Sequence, residues 1–332
     1  MSRALLHGRF TSLAHSLPHL PLGKAPTPVR ELTGLTAAVP VWCKDESVYG
    51  SGGWGGNKVR KLEWILPDMH RKGAGTLLTV GGLGTNWGLA AALYGQEQGF
   101  STAIALIDQP IDDHVRAQLV RLRQSGATLH YTRTKRRTIA AAPWLFLRHI
   151  SGGTLPYFLP AGGSSPVGTL GYVEAALELA EQVAAGELPE PSHVVTAVGS
   201  GGTAAGLALG LRLAGLQSRV VGVVVNDTLR LNAATVAALA GRTERLLLER
   251  GANFPPIGLS ADQVTIVREW LGPGYGHATR EAEQARSVAA TNASLEVEPV
   301  YTAKALAALL AMASGGLLDS GPVLFLNTYG PR

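Results

Sequence analysis

His193-Val194-Val195-Thr196-Ala197-Val198-Gly199-Ser200-Gly201-Gly202-Thr203-Ala204-Ala205-Gly206 is the stretch from which the fold is read. Six residues of nearly unbroken apolar character, mostly β-branched, describe a strand buried on both faces. Three glycines and two hydroxyls follow, then a helix of small residues to about Ala214. The same alternation extends outward in both directions. Upstream lie strands at Thr76–Val80, Thr102–Ile107, Ala127–Tyr131 and Tyr157–Pro160, with helices to about Gln98, over Asp112–Ser125 and Thr138–Ile150, and from about Val167 to Ala185. Downstream lie Arg219–Val225, a helix over Leu229–Leu248, another from about Thr279, and a closing strand at Val323–Leu326. Buried strands alternating with helices predict an α/β protein of two doubly wound open sheets. The N-terminal arm is expected to end in a proline-started short helix over Ala25–Leu32, and Pro67 is expected to kink or restart the helix that crosses it.

Composition narrows the function. Of 332 residues, 46% are hydrophobic and only 16% charged, which describes a well-buried globular chain. The formal net charge is +5. Its one basic cluster, Arg133-Thr134-Lys135-Arg136-Arg137, lacks aromatic interleaving or a reader motif and reads as a solvated loop or helix start, so no nucleic-acid partner is expected. Cys43 is the single cysteine and forms no intramolecular disulfide. The nine histidines show no ligand spacing, and no metal site is expected. No run is long enough to span a bilayer. The proline-rich first thirty residues read as an irregular arm rather than a transit peptide, and the cytoplasm is the expected location.

In doubly wound sheets ligands bind where strand ends meet helix starts. Gly199, Ser200, Gly201, Gly202 and Thr203 form an anion cradle, since glycine amides at a helix N-terminus approach a phosphate without obstruction. Gly199-x-Gly201-x-x-Ala204 with Asp227 also fits the permissive dinucleotide fingerprint, which leaves a nicotinamide enzyme open on this stretch alone. Gly52-Gly53-Trp54-Gly55-Gly56-Asn57-Lys58 opens a helix with Val59, Leu62, Ile65 and Leu66 at helical spacing. A lysine at such a junction is opposed by the helix dipole and depressed by burial, as an imine-forming lysine requires, although a basic surface turn has the same composition. Thr85-Asn86-Trp87 opens another helix and offers free amides to a carboxylate, or Thr85 is simply its N-cap. Tyr275 and Tyr301, taken singly, read as packing tyrosines.

Taken in order, Asn57-Lys58 before Arg60-Lys61-Leu62-Glu63, the Gly81-Gly82 turn with Asn86, Pro160-Ala161-Gly162, Gly199–Thr203, Gly274-Tyr275-Gly276 and Glu298-Pro299-Val300-Tyr301-Thr302 resemble a family. It is the pyridoxal-phosphate-dependent D-cysteine desulfhydrase and 1-aminocyclopropane-1-carboxylate deaminase group, of tryptophan-synthase-β-like fold type II. The resemblance runs from about Pro26 to Gly330 and sets the dinucleotide reading aside. It implies a large cofactor domain of residues 1–58 and 156–332, a small domain of 59–155, and pyridoxal 5'-phosphate in the cleft between them. It also implies a homodimer. Lys58 is then the lysine that holds the cofactor and later abstracts the α-proton, with Lys61 a second lysine nearby. Asn86 meets the ring hydroxyl, and Gly199–Thr203 the phosphate. Thr85, with the amides of Asn86 and Trp87, meets the substrate carboxylate, with Gly84 and Ser164 also at the substrate. Tyr275 and Tyr301 match active-site tyrosines.

Two departures bear on the reaction. Similar deaminases carry a glutamate after Pro-Val-Tyr, facing the pyridine nitrogen, and tend to carry a leucine in the tail; this chain has Thr302 and Thr328. Neutral hydroxyls make a weaker electron sink, which suffices for β-elimination with a good leaving group and disfavours cyclopropane opening. The expected activity is therefore β-elimination on a small amino acid, giving a 2-oxo acid and ammonia. A specialised lyase, a β-replacement enzyme or a racemase is the alternative. Gly84-Thr85-Asn86-Trp87 replaces the family's usual Gln-Ser-Asn followed by His or Gln, so Gly84 is expected to open space beside the substrate and Trp87 to fill it.

Overall fold

The computed structural model describes residues 4–50, 56–318 and 321–329. Gly52, Gly53, Trp54 and Gly55 of the glycine turn, and Gly330 of the tail, lie outside the described residues. In chain order the elements are α1 (Leu5–Arg9), α2 (Leu13–Ser16), β1 (Val29–Glu31), β2 (Val41–Asp45), α3 (Lys58–Arg71), β3 (Thr76–Gly82), α4 (Asn86–Glu97), β4 (Ser101–Ile107), α5 (Asp113–Gln124), β5 (Thr128–Arg133) and α6 (Lys135–Arg148). There follow β6 (Tyr157–Leu159), α7 (Pro166–Ala184), β7 (His193–Val198), α8 (Gly202–Ala214), β8 (Arg219–Val224), α9 (Ala233–Glu249), β9 (Val264–Val267), α10 (Arg280–Ala293), α11 (Thr302–Ser314) and β10 (Val323–Asn327).

Two open sheets result, ordered β1-β2-β10-β7-β8-β9 and β5-β4-β3-β6. All pairings are parallel except β1 with β2. Strand alternation sends Val194 and Val198 of β7 into one core cluster with α3, α7, α8 and α9. Val195 and Ala197 go into another with α10 and α11. In the smaller sheet Ile104 and Leu106 face α4 and α5, while Leu78, Ala103 and Ala105 face α6. The small residues of α8 serve close helix packing. A Cβ at Gly206 would stand 2.5 Å from Tyr172 Cβ, and one at Gly210 2.6 Å from Ala176 Cβ, so α7 and α8 meet nearly backbone to backbone. The smaller sheet closes with β6, which pairs with β3 and lies beyond residue 155, the limit expected for that unit.

Two local expectations are corrected. The arm ends in strand β1, not a proline-started helix. Pro26 and Pro28 bias the residues before them toward extended backbone, and β2 offers an edge on which Pro28 and Leu32 pair. Pro67 lies inside a continuous α3, with no restart. Proline has no N–H to give the carbonyl of Glu63 one turn back, and Leu20 of the arm donates to that carbonyl at 2.9 Å instead.

The head of α3 is fixed by buried charges. Arg60 Nε donates to Glu46 at 2.5 Å, and its Nη2 to Glu178 at 2.9 Å, while Lys44 Nζ reaches Glu178 at 2.5 Å and Gln182 at 2.6 Å. All four ions are nearly inaccessible to water. Such groups contribute stability only while every member is paired, because a stranded buried charge carries its full desolvation cost. Arg60→Met is accordingly expected to lower the unfolding free energy by about 3–5 kcal/mol in urea titration. A loss within error would show that water or relaxation compensates the freed carboxylates.

Candidate active site

A cavity of about 830 Å³ opens between the sheets, at the carboxyl ends of their strands. It is bordered by Lys58, Thr85, Asn86, Trp87, Gly199, Ser200, Tyr275, Tyr301, Thr302 and Thr328, residues that the sequence distributes over some 270 positions. Lys58 is the first residue of α3, where a positive charge meets the helix N-terminus. Burial lowers its ammonium from 10.5 to about 8. Lys61, one turn on, is pushed well below the usual lysine range by burial and by the charge of Lys58.

Lys61 lies beside the glycine loop. Its Nζ donates to the Gly162 carbonyl at 2.9 Å and stands 3.4 Å from Ser164 Oγ. Ser164 Oγ accepts from the Gly202 amide at 3.0 Å and shares a proton with Ser200 Oγ at 2.8 Å. The packing admits no larger residue: a Cβ at Gly202 would lie 2.6 Å from Ser164 Oγ and 2.8 Å from Lys61 Nζ. Amine, hydroxyls and amide thus converge at the start of α8. The only charge acting on buried Lys61 among the described residues is that of Lys58, so the cluster has donors and lacks an anion. A phosphate dianion fits it.

At the opposite wall Thr85 caps α4, its Oγ1 accepting from Gly88 N at 3.1 Å. The N-cap reading of Thr85 is therefore correct. It coexists with carboxylate binding, since the first amides of a helix have no partner within it. Asn86 Oδ1 accepts from Gln118 Nε2 at 2.5 Å, which leaves the amide NH₂ as the donor it offers a ligand. Tyr301 donates to Tyr275 across 2.8 Å with the rings edge to face. Burial raises the Tyr275 hydroxyl above its ordinary value, so it stays protonated. Thr302 begins α11, its Oγ1 accepting from the Glu298 amide at 2.8 Å. The Glu298 carboxylate caps that helix by accepting from Val300, Tyr301 and Thr302.

Some residues stand elsewhere than expected. Gly84 does not open space beside the substrate. It faces α5, where a Cβ would come 3.1 Å from Val115, and its amide donates to Gln109. Trp87 borders the cavity, but its indole is sunk in the core, donating to Thr79 at 2.8 Å and lying against Gly163, so it does not fill the substrate corner. Ser164 sits with Lys61 and Ser200, not at that corner. Gly201, Gly202 and Thr203 lie behind the cavity wall at the head of α8. Asp227, the acid of the dinucleotide reading, accepts from the Tyr275 amide at 3.0 Å. Asn226 escapes sequence reasoning, yet it fastens the glycine loop by donating to Gly199 O at 2.9 Å while accepting from Thr228. Its only sequence signal is its place at the end of β8.

A lowered amine, a glycine loop at one helix start and a threonine cap at another meet at a cleft between two open, mainly parallel sheets, the architecture of pyridoxal-phosphate enzymes of the tryptophan-synthase-β-like, fold type II class. The chain belongs to the pyridoxal-phosphate-dependent enzyme family, whose model matches residues 20–328. Curated relatives include the D-cysteine desulfhydrases of Klebsiella pneumoniae (strain 342), 33% identical over 321 residues, and Salmonella choleraesuis (strain SC-B67), 32% over 322, each covering 94% of both chains. Among solved structures, an ACC deaminase homologue superposes with a TM-score of 0.81 at 27% identity, covering 99% of this chain and 95% of that one. A threonine deaminase from T.th., at 0.64 and 21% over 98% of this chain and 97% of that one, shares the fold.

The lowered Lys58 has a thermodynamic signature in the cofactor-free protein. Its folded pKa lies below its unfolded value, so the unfolded state holds the extra proton between about 8 and 10.5 and stability rises with pH across that window. Below it, the charged amine carries the full burial penalty. Lys58→Met is expected to stabilise the cofactor-free protein by about 2 kcal/mol near pH 7, with the gain shrinking toward about pH 10. Urea unfolding at both pH values checks this. A gain independent of pH would assign the effect to packing.

Proposed function

We propose that the protein is a pyridoxal-phosphate-dependent lyase that eliminates a β-substituent from a small amino acid, as a D-cysteine desulfhydrase does, releasing a 2-oxo acid and ammonia. The observation that supports the reading is the lowered Lys58 amine in one cavity with Thr85 and with Gly199 and Ser200, the edge of the glycine loop at the head of α8. When bound, pyridoxal phosphate supplies an aldehyde for amines and a ring that accepts the electron pair left by the α-proton.

The chain's own residues divide the remaining work. Gly199–Thr203, with Ser164 and Lys61 beside them, would hold the cofactor's phosphate, and an anion there would favour the protonated form of Lys61. Asn86 donates to the ring hydroxyl. Thr85 and the amides of Asn86 and Trp87 hold the substrate carboxylate and so orient the α-hydrogen. Lys58 Nζ would hold the cofactor through its aldehyde and, as a free amine, would take the α-proton, a task suited to an amine lowered to about 8. Tyr275 stays protonated by burial and takes a hydrogen bond from Tyr301, which leaves its own proton for the departing sulfur. Thr302 and Thr328 offer the ring nitrogen hydroxyls rather than a carboxylate, which favours elimination of a good leaving group. The ACC deaminase homologue, at a TM-score of 0.81, keeps cyclopropane opening as the second reading. The same reading takes the protein to be a cytoplasmic homodimer.

Purified protein is expected to show a visible absorbance band that Lys58→Ala abolishes, with borohydride fixing the label on the peptide that carries Lys58. It is also expected to release pyruvate and sulfide from D-cysteine. A band that survives in Lys58→Ala removes the lysine assignment. Turnover of 1-aminocyclopropane-1-carboxylate with D-cysteine inert selects the second reading.

A further inference from the structure

The cavity, toward the upper end of the roughly 300–1,000 Å³ usual for sites of drug-sized ligands, has to take cofactor and substrate together, and it also extends to side chains that the cofactor reading does not use. Beyond the Thr85 corner it continues beneath α6. Leu78 and Val80 of β3 and Ala105 and Ile107 of β4 border it as a floor. Thr79 points to the other face, where it holds Trp87. Lys135, Thr138, Ile139, Ala142, Leu145 and Phe146 of α6 also border it. Their spacing of three and four marks one stripe of that helix, about 15 Å from first to last turn. The floor spans about 13 Å from Leu78 to the Gly82 turn, so the two surfaces match in length.

α6 packs poorly for a helix lying on a sheet. Of its fourteen residues only Leu145 is buried, and it closes the inner end against Leu78, Ala103 and Ala105. Phe146 and Phe158 meet at 5.8 Å on the flank. Ile139 is 64% exposed and Phe158 50%, large apolar residues left beside a cavity rather than packed into the core. Exposed Arg133 and Lys135 stand at the outer end.

We propose that this gallery is a subsite for an extended apolar β-substituent, so that the preferred substrates are S-alkyl or S-benzyl conjugates of cysteine. The occupant follows from continuity: the gallery is one cavity with the cleft bordered by Lys58 and Thr85, and its floor and inner wall are apolar, with Thr138, Lys135 and Arg133 toward the outer end. The inference rests on the elimination reading above. In the step, the Cα–H proton goes to Lys58 Nζ, the Cβ–S bond breaks with its electron pair leaving on sulfur, and Cα=Cβ forms. The thiolate takes a proton, and water hydrolyses the released enamine through its imine, giving one thiol, one pyruvate and one ammonium per conjugate.

The test compares cysteine, β-chloroalanine and S-benzylcysteine, each as D and L isomers, scored for pyruvate with the cofactor-loaded enzyme. S-Benzylcysteine is expected to match or exceed cysteine in kcat/KM. Ala142→Trp, which fills the gallery, and Ile139→Asp, which puts a carboxylate on an exposed position of it, are each expected to lower the ratio of S-benzylcysteine to β-chloroalanine turnover by roughly tenfold or more, mainly through KM. Pyruvate from cysteine and β-chloroalanine with none from S-benzylcysteine, or ratios unchanged in both variants, overturns the subsite and leaves the elimination reading standing. Pyruvate from none of the three overturns both.

Discussion

Three cations stand within four residues at the head of α3, and the site depends on where each is sent. Successive residues of a helix turn by about 100°, so Lys58, Arg60 and Lys61 point to different sectors. Arg60 is drawn into the core by Glu46 and Glu178, themselves tied to Lys44 and the arm through Thr27. That anchor fixes the first turn of α3, which leaves Lys61 buried and Lys58 at the cavity without carboxylates of their own. Lys61 faces the head of α8 and Lys58 the cavity. Desolvation left uncompensated lowers both lysines, which suits the anion-binding and nucleophilic roles proposed for them.

The arm and the glycines serve the same geometry from outside. Leu20 gives its amide to the Glu63 carbonyl that Pro67 orphans, while the Leu22 amide and Tyr49 donate to the Glu63 carboxylate, so α3 runs straight past the proline into the smaller sheet. Gly206 and Gly210 bring α8 against α7. That approach sets the glycine loop opposite Lys61 and Ser164, with Asn226 pinning its other side through Gly199. The cradle is therefore a product of helix packing as much as of its own three glycines.

What the sequence discloses follows periodicity and junctions. The strand from His193 to Val198, the helix starts at Lys58, Asn86 and Gly202, and the α/β alternation are all legible because burial patterns and caps are local. Glu46, Glu178 and Lys44 are not, since nothing local marks a buried charge whose partner is brought in by the fold, from 14 residues away for Glu46 and Arg60 and from 118 and 134 for Glu178 with Arg60 and Lys44. Trp87 and Gly84 take a substrate role from their place in a motif, but side-chain direction depends on the opposite wall: Thr79 and Gly163 draw the indole inward, and Val115 fills the space before Gly84. The β1 edge and the unbroken α3 escape for a related reason. Proline's local rules hold until a tertiary donor or a free strand edge overrides them.

The separation of cofactor chemistry from substrate choice has a structural basis. Lys58, Lys61 and the α8 loop belong to tightly packed elements joined to the larger core, whereas α6 buries one side chain and leaves apolar residues facing a cavity. Substitutions along α6 change volume in open space, where a core position would suffer cavity or overpacking costs. The walls that meet a substrate's far end can therefore vary at little cost in stability, while the head of α3 cannot. Thr302 lies between these regimes: it borders the cavity while its hydroxyl is engaged by the Glu298 amide at the start of α11, so a change there alters a helix start as well as the cavity wall. On the proposed roles, reaction type would be tied to the packing around α11, and substrate length to a helix that packs loosely.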